Sequence, residues 1–268
     1  MRASVLLCGA LWSAILTGCS APLSSEDLIF VDGRAVASAG DSLLAITRQG
    51  EAAVILRDRT TGAVFTRGER ALTSPHHVQE LAGDWYVSDV ADGGWQIVVF
   101  DTQWEVRRRI AVDTLSDAPH QFAVLPDGRI VVEGKDGRLV ALDSAAVQTF
   151  ALFEAGPRSG FLVAAHGGVL HAVPDRWLTL YNQNGNIRWR VPWQWRSDVY
   201  VSDLAVDAHG RIHMLVGEGG ATSQFVCFSF SSATGEVLRW SVPGPDATFS
   251  VDRVGEILPD SAGRWIGR

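Results

Sequence analysis

Pro119-His120-Gln121-Phe122-Ala123-Val124-Leu125-Pro126-Asp127-Gly128-Arg129-Ile130-Val131-Val132 is the stretch on which the fold turns. It reads as an apolar strand, a tight turn at Asp-Gly where positive φ is needed, and a second apolar strand. The phrase returns at Leu204–Leu215 as Leu-Ala-Val-Asp-Ala-His-Gly-Arg-Ile-His-Met-Leu. Its opening recurs upstream, where Pro75-His76-His77-Val78 matches Pro119-His120-Gln121-Phe122 at a spacing of 44. Variants follow at Phe161–Ala172, with His166-Gly167-Gly168 as the turn, and at Ile257–Ile266, with Ala262-Gly263-Arg264-Trp265. The least clear copy is Val36–Ile46, turning at Gly40-Asp41-Ser42. Taking Val36, Val78, Phe122, Phe161, Leu204 and Ile257 as equivalent gives separations of 42, 44, 39, 43 and 53.

Most of these six units continue with a third strand, as in Gln96–Phe100, Arg138–Leu142 and Trp177–Tyr181. A fourth often follows, as at Glu105–Val112 and Ile187–Val191. Four short antiparallel strands repeated every ~40–45 residues mark the blades of a β-propeller. A sandwich or barrel would also give many short strands, but not one phrase six times in register. No 3.6-residue apolar period is sustained beyond the first segment, so almost no helix is expected. The expected fold is therefore all-β, a six-bladed β-propeller of four-stranded antiparallel blades. The last unit has two strands before Arg268, and Leu28-Ile29-Phe30-Val31 is an unassigned apolar strand. The N-terminal strand is expected to close the ring by completing a three-stranded sixth blade, since an open ring leaves sheet edges bare. A truncated chain is the alternative.

The 268 residues divide as 1–18, 19–27 and 28–268. The first part has Arg2 ahead of the mainly apolar run Ala3–Ile15. That run is too short for a spanning helix of ~20 apolar residues and suits a secretory signal. It ends in Leu16-Thr17-Gly18-Cys19, which resembles the bacterial lipoprotein signal. The resemblance implies a signal peptide cleaved before Cys19, acylation of that thiol with diacylglycerol and palmitate, and anchoring in the lipid bilayer. Ser20 stands where aspartate would retain such a protein in the inner membrane, which implies the periplasmic side of the outer membrane. Residues 19–27 then form the tether and 28–268 the propeller. Cys8 leaves with the signal and Cys19 is acylated, so Cys227 in Phe225-Val226-Cys227-Phe228 has no disulfide partner within the chain and reads as a structural thiol.

Trp85-Tyr86-Val87-Ser88-Asp89, Gln96-Ile97-Val98-Val99-Phe100-Asp101 and Val106-Arg107-Arg108-Arg109-Ile110 together resemble an NHL repeat. The resemblance implies a six-bladed ring and carries fold rather than activity. A second resemblance, weaker in blade number, is to quinoprotein-like propellers of outer-membrane assembly lipoproteins. Ala233-Thr234-Gly235-Glu236-Val237-Leu238-Arg239-Trp240 carries it, and Asn184-Gly185-Asn186-Ile187-Arg188-Trp189 carries it more loosely. In that family the tryptophan docks one blade on the next.

In a propeller the residues just before each innermost strand line the mouth of the central channel. In this register they include His76, His120 and Ser202, with His77, Gln121 and Asp203 one step on. Two equivalent histidines on adjacent blades would approach each other. The plainer reading of Pro-His is that it begins the inner strand, with the imidazole bonded to a neighbouring carbonyl. A two-histidine set lacks the third or fourth ligand a metal requires, so no metal and no cofactor is implied. Some NHL-fold lyases hold a metal through channel histidines, and they use more ligands than this pattern supplies. The other candidates are Trp193 and Trp195, which follow Pro192 in the connection between the fourth and fifth blades. Exposed tryptophan beside arginine suits a protein or glycan partner, whereas buried rings would seal the blades. A net charge of −7 gives no basic stripe for nucleic acid. No nucleophile motif, P-loop or dinucleotide fingerprint is present. These features point to a non-catalytic binding scaffold. A hydrolase or lyase working at the channel mouth is the alternative.

Overall fold

Glycine and alanine at left-handed positions set the hairpins. Gly128 has φ 83°, in the Asp127-Gly128 turn. The corresponding turn of the preceding unit is Ala82-Gly83, with φ 53° and 88°. Positive φ at both central residues matches the twist of the two strands that such a turn joins. The computed structural model describes residues 28–30, 35–39, 43–48, 50–58, 60–92, 94–112, 122–134, 138–143, 148–152, 161–165, 167–173, 177–192, 199–206, 212–218, 225–241, 257–259 and 265–267.

Among these residues there is no helix, and the strands form six sheets. β1 (Leu28–Phe30) precedes the first four-stranded sheet, which holds β2 (Ala35–Ala39), β3 (Leu43–Thr47), β4 (Val54–Asp58) and β5 (Val64–Arg67). The second holds β6 (Pro75–Leu81), β7 (Asp84–Ala91), β8 (Gly94–Phe100) and β9 (Val106–Ala111). β10 (Phe122–Val124), β11 (Ile130–Glu133), β12 (Leu139–Leu142) and β13 (Gln148–Leu152) make the third. β14 (Phe161–Ala165), β15 (Gly168–Val173), β16 (Trp177–Asn182) and β17 (Ile187–Pro192) make the fourth. β18 (Val199–Val206), β19 (Ile212–Glu218), β20 (Phe225–Phe230) and β21 (Val237–Ser241) make the fifth. In all five, strands pair antiparallel in chain order. β22 (Ile257–Pro259) and β23 (Trp265–Gly267) pair antiparallel, and β1 lies parallel against β23, Leu28 opposite Trp265. Cys227 sits in β20, opposite Leu215 and Ser241.

The sheets stack face to face, which explains why their strands read as unbroken apolar runs rather than as alternation. Successive residues of one strand enter different cores. Trp85, Val87, Val98 and Phe100 pack with Ala45, Val54 and Leu56 of the first sheet. Their neighbours Tyr86, Ile97 and Val99 pack with Phe122, Val124, Ile130 and Val132 of the third. The third and fourth sheets share Leu125, Val131, Leu139, Val169 and Tyr181. Leu170, Leu178, Leu180, Ile212, Met214 and Phe230 join the fourth to the fifth.

Candidate functional site

The innermost strand of the second sheet starts at the Pro-His phrase. His76 and His77 were expected either just ahead of the strand, lining the mouth, or within a strand that Pro-His begins. β6 begins at Pro75 and both histidines lie within it, as the second reading has it. Pro75 pairs with Asp89 and Val78 with Val87, so His76 and His77 together oppose Ser88 alone. This is a β-bulge, which bends a strand and re-aims its side chains. Its extra amide is satisfied locally, because His77 N–H donates to Ser88 Oγ at 2.9 Å. Ser88 itself is buried.

Both neighbouring sheets hold this bulge. On one side Thr47 Oγ1 donates to the His76 carbonyl at 2.8 Å. On the other, the His77 ring stands edge-on to Phe122, which opens β10, with centroids 5.0 Å apart. The His76 ring meets Trp95 of β8 edge-on at 4.7 Å. A further tie crosses the same junction, where Val124 N–H donates to Gln79 Oε1 at 3.1 Å.

Asp89 anchors the approach to the bulge. It is fully buried. Its Oδ1 accepts the N–H groups of Thr73 at 2.9 Å and Ser74 at 2.7 Å. Its Oδ2 accepts from Gln96 Nε2 at 3.0 Å. The last two residues before Pro75 are thus fastened to β7, which fixes where the inner strand enters. Asp89→Ala should therefore loosen the mouth and cost about 2 kcal/mol, the scale of leaving such donors unmet. A lowered urea midpoint with unchanged slope would register it. In the sequence Asp89 stands out only as part of a repeat phrase, with no role in the site. The signal was there, in a carboxylate set within an otherwise apolar strand.

The fifth sheet repeats the distortion. Val201 pairs with Val216 and Asp203 with Leu215, so Ser202 is the extra residue in β18. Ser202 and Asp203 thus also lie inside the innermost strand, at the place equivalent to His76 and His77. His120, Gln121, Trp193, Trp195 and Cys19 lie outside the described residues. Pro192 is the last residue of β17, opposite Trp177. Among the described residues, no group of three or more His, Cys, Asp or Glu side chains could hold a metal ion.

Trp189 does what the tryptophan phrase implied. Its Nε1 donates to the Ser232 carbonyl of the fifth sheet at 2.7 Å, across a blade junction. Its ring fills the space over Gly235, where a Cβ would stand 2.7 Å from the ring. Arg129 makes a similar tie from the third sheet to the fourth, donating to the Gln183 carbonyl at 2.9 Å.

No protein-family model matches the sequence, and no curated protein matches it. Solved structures do. The chain is similar to a streptogramin B lyase with TM-score 0.58 and 10% identity, over 90% of this chain and 91% of that one. That likeness shows a β-propeller. A virginiamycin B lyase from Staphylococcus aureus is similar with TM-score 0.56 and 8% identity, over 89% and 91% of the two chains. A protein of unknown function from Bacteroides caccae is similar with TM-score 0.56 and 14% identity, over 83% and 84%. At such identities only the fold is shared, and the site must be argued from its own residues.

Proposed function

We propose that this protein is a lipid-anchored envelope protein whose six-bladed β-propeller binds a protein or glycan at its mouth without catalysing a reaction. The observation that carries this reading is the construction of the β6 bulge. Contacts of His76 and His77 with Thr47, Ser88, Trp95 and Phe122 tie the inner strand to its neighbouring strands and sheets. Such groups hold a surface in shape, as a recognition face requires. The ring is supported by the neighbours of β22, which lies beside β18 on one side and β2 on the other. The pairing of β1 with β23 supports a sixth blade shared between the chain ends.

Anchoring rests on Leu16-Thr17-Gly18-Cys19, and outer-membrane placement on Ser20. Stable anchoring needs at least two acyl chains, which a diacylglyceryl cysteine supplies. Cys19→Ala should abolish the acyl mass and release the protein from the detergent phase. Unchanged partitioning with no loss of acyl mass would defeat the assignment.

A pull-down from detergent-solubilised envelope should capture the partner. If the connection after Pro192 is the contact, Trp193→Ala with Trp195→Ala will lose it while the melting temperature holds. If the mouth is the contact, His76→Ala with His120→Ala will lose it instead. If the tryptophans seal adjacent blades, their loss will lower stability by ~3 kcal/mol or more.

A second reading, a lyase or hydrolase, is favoured by the bulge itself, because bulges recur beside active sites. Two of the similar structures are lyases by name. Thermal-shift titration with zinc, calcium and chelator separates the readings, since a catalytic metal site would raise the melting temperature on loading.

A further inference from the structure

Exposed large apolar side chains gather at one end of this propeller. Val64 is 60% exposed, Phe65 46%, Val106 41% and Ile187 49%. Val64 and Phe65 open β5, Val106 opens β9 and Ile187 opens β17, so each lies at the start of a fourth strand. Innermost strands start at the mouth, and pairing within these sheets is antiparallel. Fourth strands therefore start at the opposite end. Among the described residues, the one other exposed large hydrophobic is Trp177, at the mouth-end start of β16. Single exposed apolar residues are ordinary, but four at one end of three sheets form a pattern.

The chain itself enters at that end. β1 runs parallel to β23, which is antiparallel to the innermost β22. Leu28 is therefore at the end away from the mouth. β1 is the outer strand of its sheet, next to the sheet whose outer strand is β5. Eight residues, 20–27, separate Leu28 from Cys19. Fully extended they reach at most about 29 Å. A domain of this length has a radius of gyration of about 18 Å, so the tether cannot carry it clear of a membrane holding Cys19 with much freedom to turn over.

We propose that the end bearing Val64, Phe65, Val106 and Ile187 rests on the lipid bilayer, and that the mouth faces away from it. This rests on the lipid-anchor reading of Cys19. The occupant is the headgroup region of the membrane, where apolar side chains of this size are partly withdrawn from water. Four of the carboxylates at this end, Asp58, Asp84, Asp101 and Asp127, are held by the protein's own N–H groups or arginines. Asp58 accepts the N–H groups of Thr60 and Thr61, and Asp101 those of Gln103 and Glu105. Asp127 pairs with Arg129, and Asp84 with Arg107.

The test is hydrogen exchange on the acylated mature protein, in vesicles of phosphatidylethanolamine and phosphatidylglycerol and in native envelope, with intact mass reporting acylation. In vesicles, amides of 60–67 and 104–108 should exchange about fivefold or more slowly than in vesicle-free protein. Those of 74–78 and 88–92 should be unchanged. Val64→Ser with Phe65→Ser and Ile187→Ser should restore the faster exchange while acylation persists. Acylated protein with no slowing at 60–67, or with slowing at the mouth segments instead, overturns the orientation alone. Slowing in native envelope but not in pure lipid means that a protein covers this end, and overturns it too. Absence of acyl mass overturns the anchor reading and the orientation with it.

Discussion

Replacing Gly168 by alanine is expected to lower stability by about 3 kcal/mol or more, although the change adds one methyl group. Gly168 opens β15 and lies between Ala165 of β14 and Asn182 of β16. A Cβ there would overlap the carbonyl oxygen of Tyr181 and stand 2.9 Å from its carbon and 3.0 Å from Asn182 Cα. All three obstacles are backbone atoms of the paired strand, so no rotamer change relieves them. Overpacking costs ~1–3 kcal/mol where side chains can shift, and more where the ladder itself must move. A melting temperature lower by roughly 6–12 °C is expected, at ~2–4 °C per kcal/mol for a domain of this size. Gly128→Ala serves as the comparison. Its Cβ would meet nothing within 4 Å, so only the cost of φ at 83° remains, about 1–2 kcal/mol. Equal losses for the two variants would show that β16 yields easily and that the Gly168 contact is not the constraint.

Deleting Leu28–Val31 from the mature protein is expected to have the largest effect of any change considered. It removes the ladder of β1 on β23 and leaves β22 and β23 as a two-stranded sheet. Two strands are marginal in water on their own. The deleted residues include Leu28, Ile29 and Phe30, and large apolar side chains contribute ~1.5–3 kcal/mol each where burial is complete. The sum is comparable with the ~5–15 kcal/mol net stability of a whole domain, so global unfolding well below the parent melting temperature is expected. Circular dichroism during heating would measure it. An unchanged transition would mean that the first strand belongs to the tether, and the shared sixth blade would have to be abandoned.

Much of the fold was legible because a propeller blade is a local object. Strand follows strand across short turns, so Phe122-Ala123-Val124, Asp127-Gly128 and Ile130-Val131-Val132 specify a hairpin without reference to the rest of the chain. Fourth strands were read to within a residue or two, Glu105–Val112 becoming β9 and Ile187–Val191 becoming β17. The register of the inner strands was less legible. Pro-His was read either as the approach to the inner strand or as its first residues, and Pro75 is the first residue of β6. It can begin β6 because the amides on its N-terminal side are taken by Asp89 rather than by a strand partner.

By itself the sequence determined the all-β class, the repeat, the strand order and the entry phrase of each unit. These follow from apolar runs and turn residues a few positions apart, where local sterics and burial act. Only the tertiary structure decided that His76 and His77 share a bulge, that Asp89 fastens Thr73 and Ser74, and which ring each imidazole meets. Those contacts join strands and sheets that are 11 to 45 residues apart in the chain. The exposed apolar residues likewise became one end of the molecule only once antiparallel pairing had fixed which way each fourth strand runs. Strand direction is a property of the assembled sheet, and no short stretch of the chain contains it.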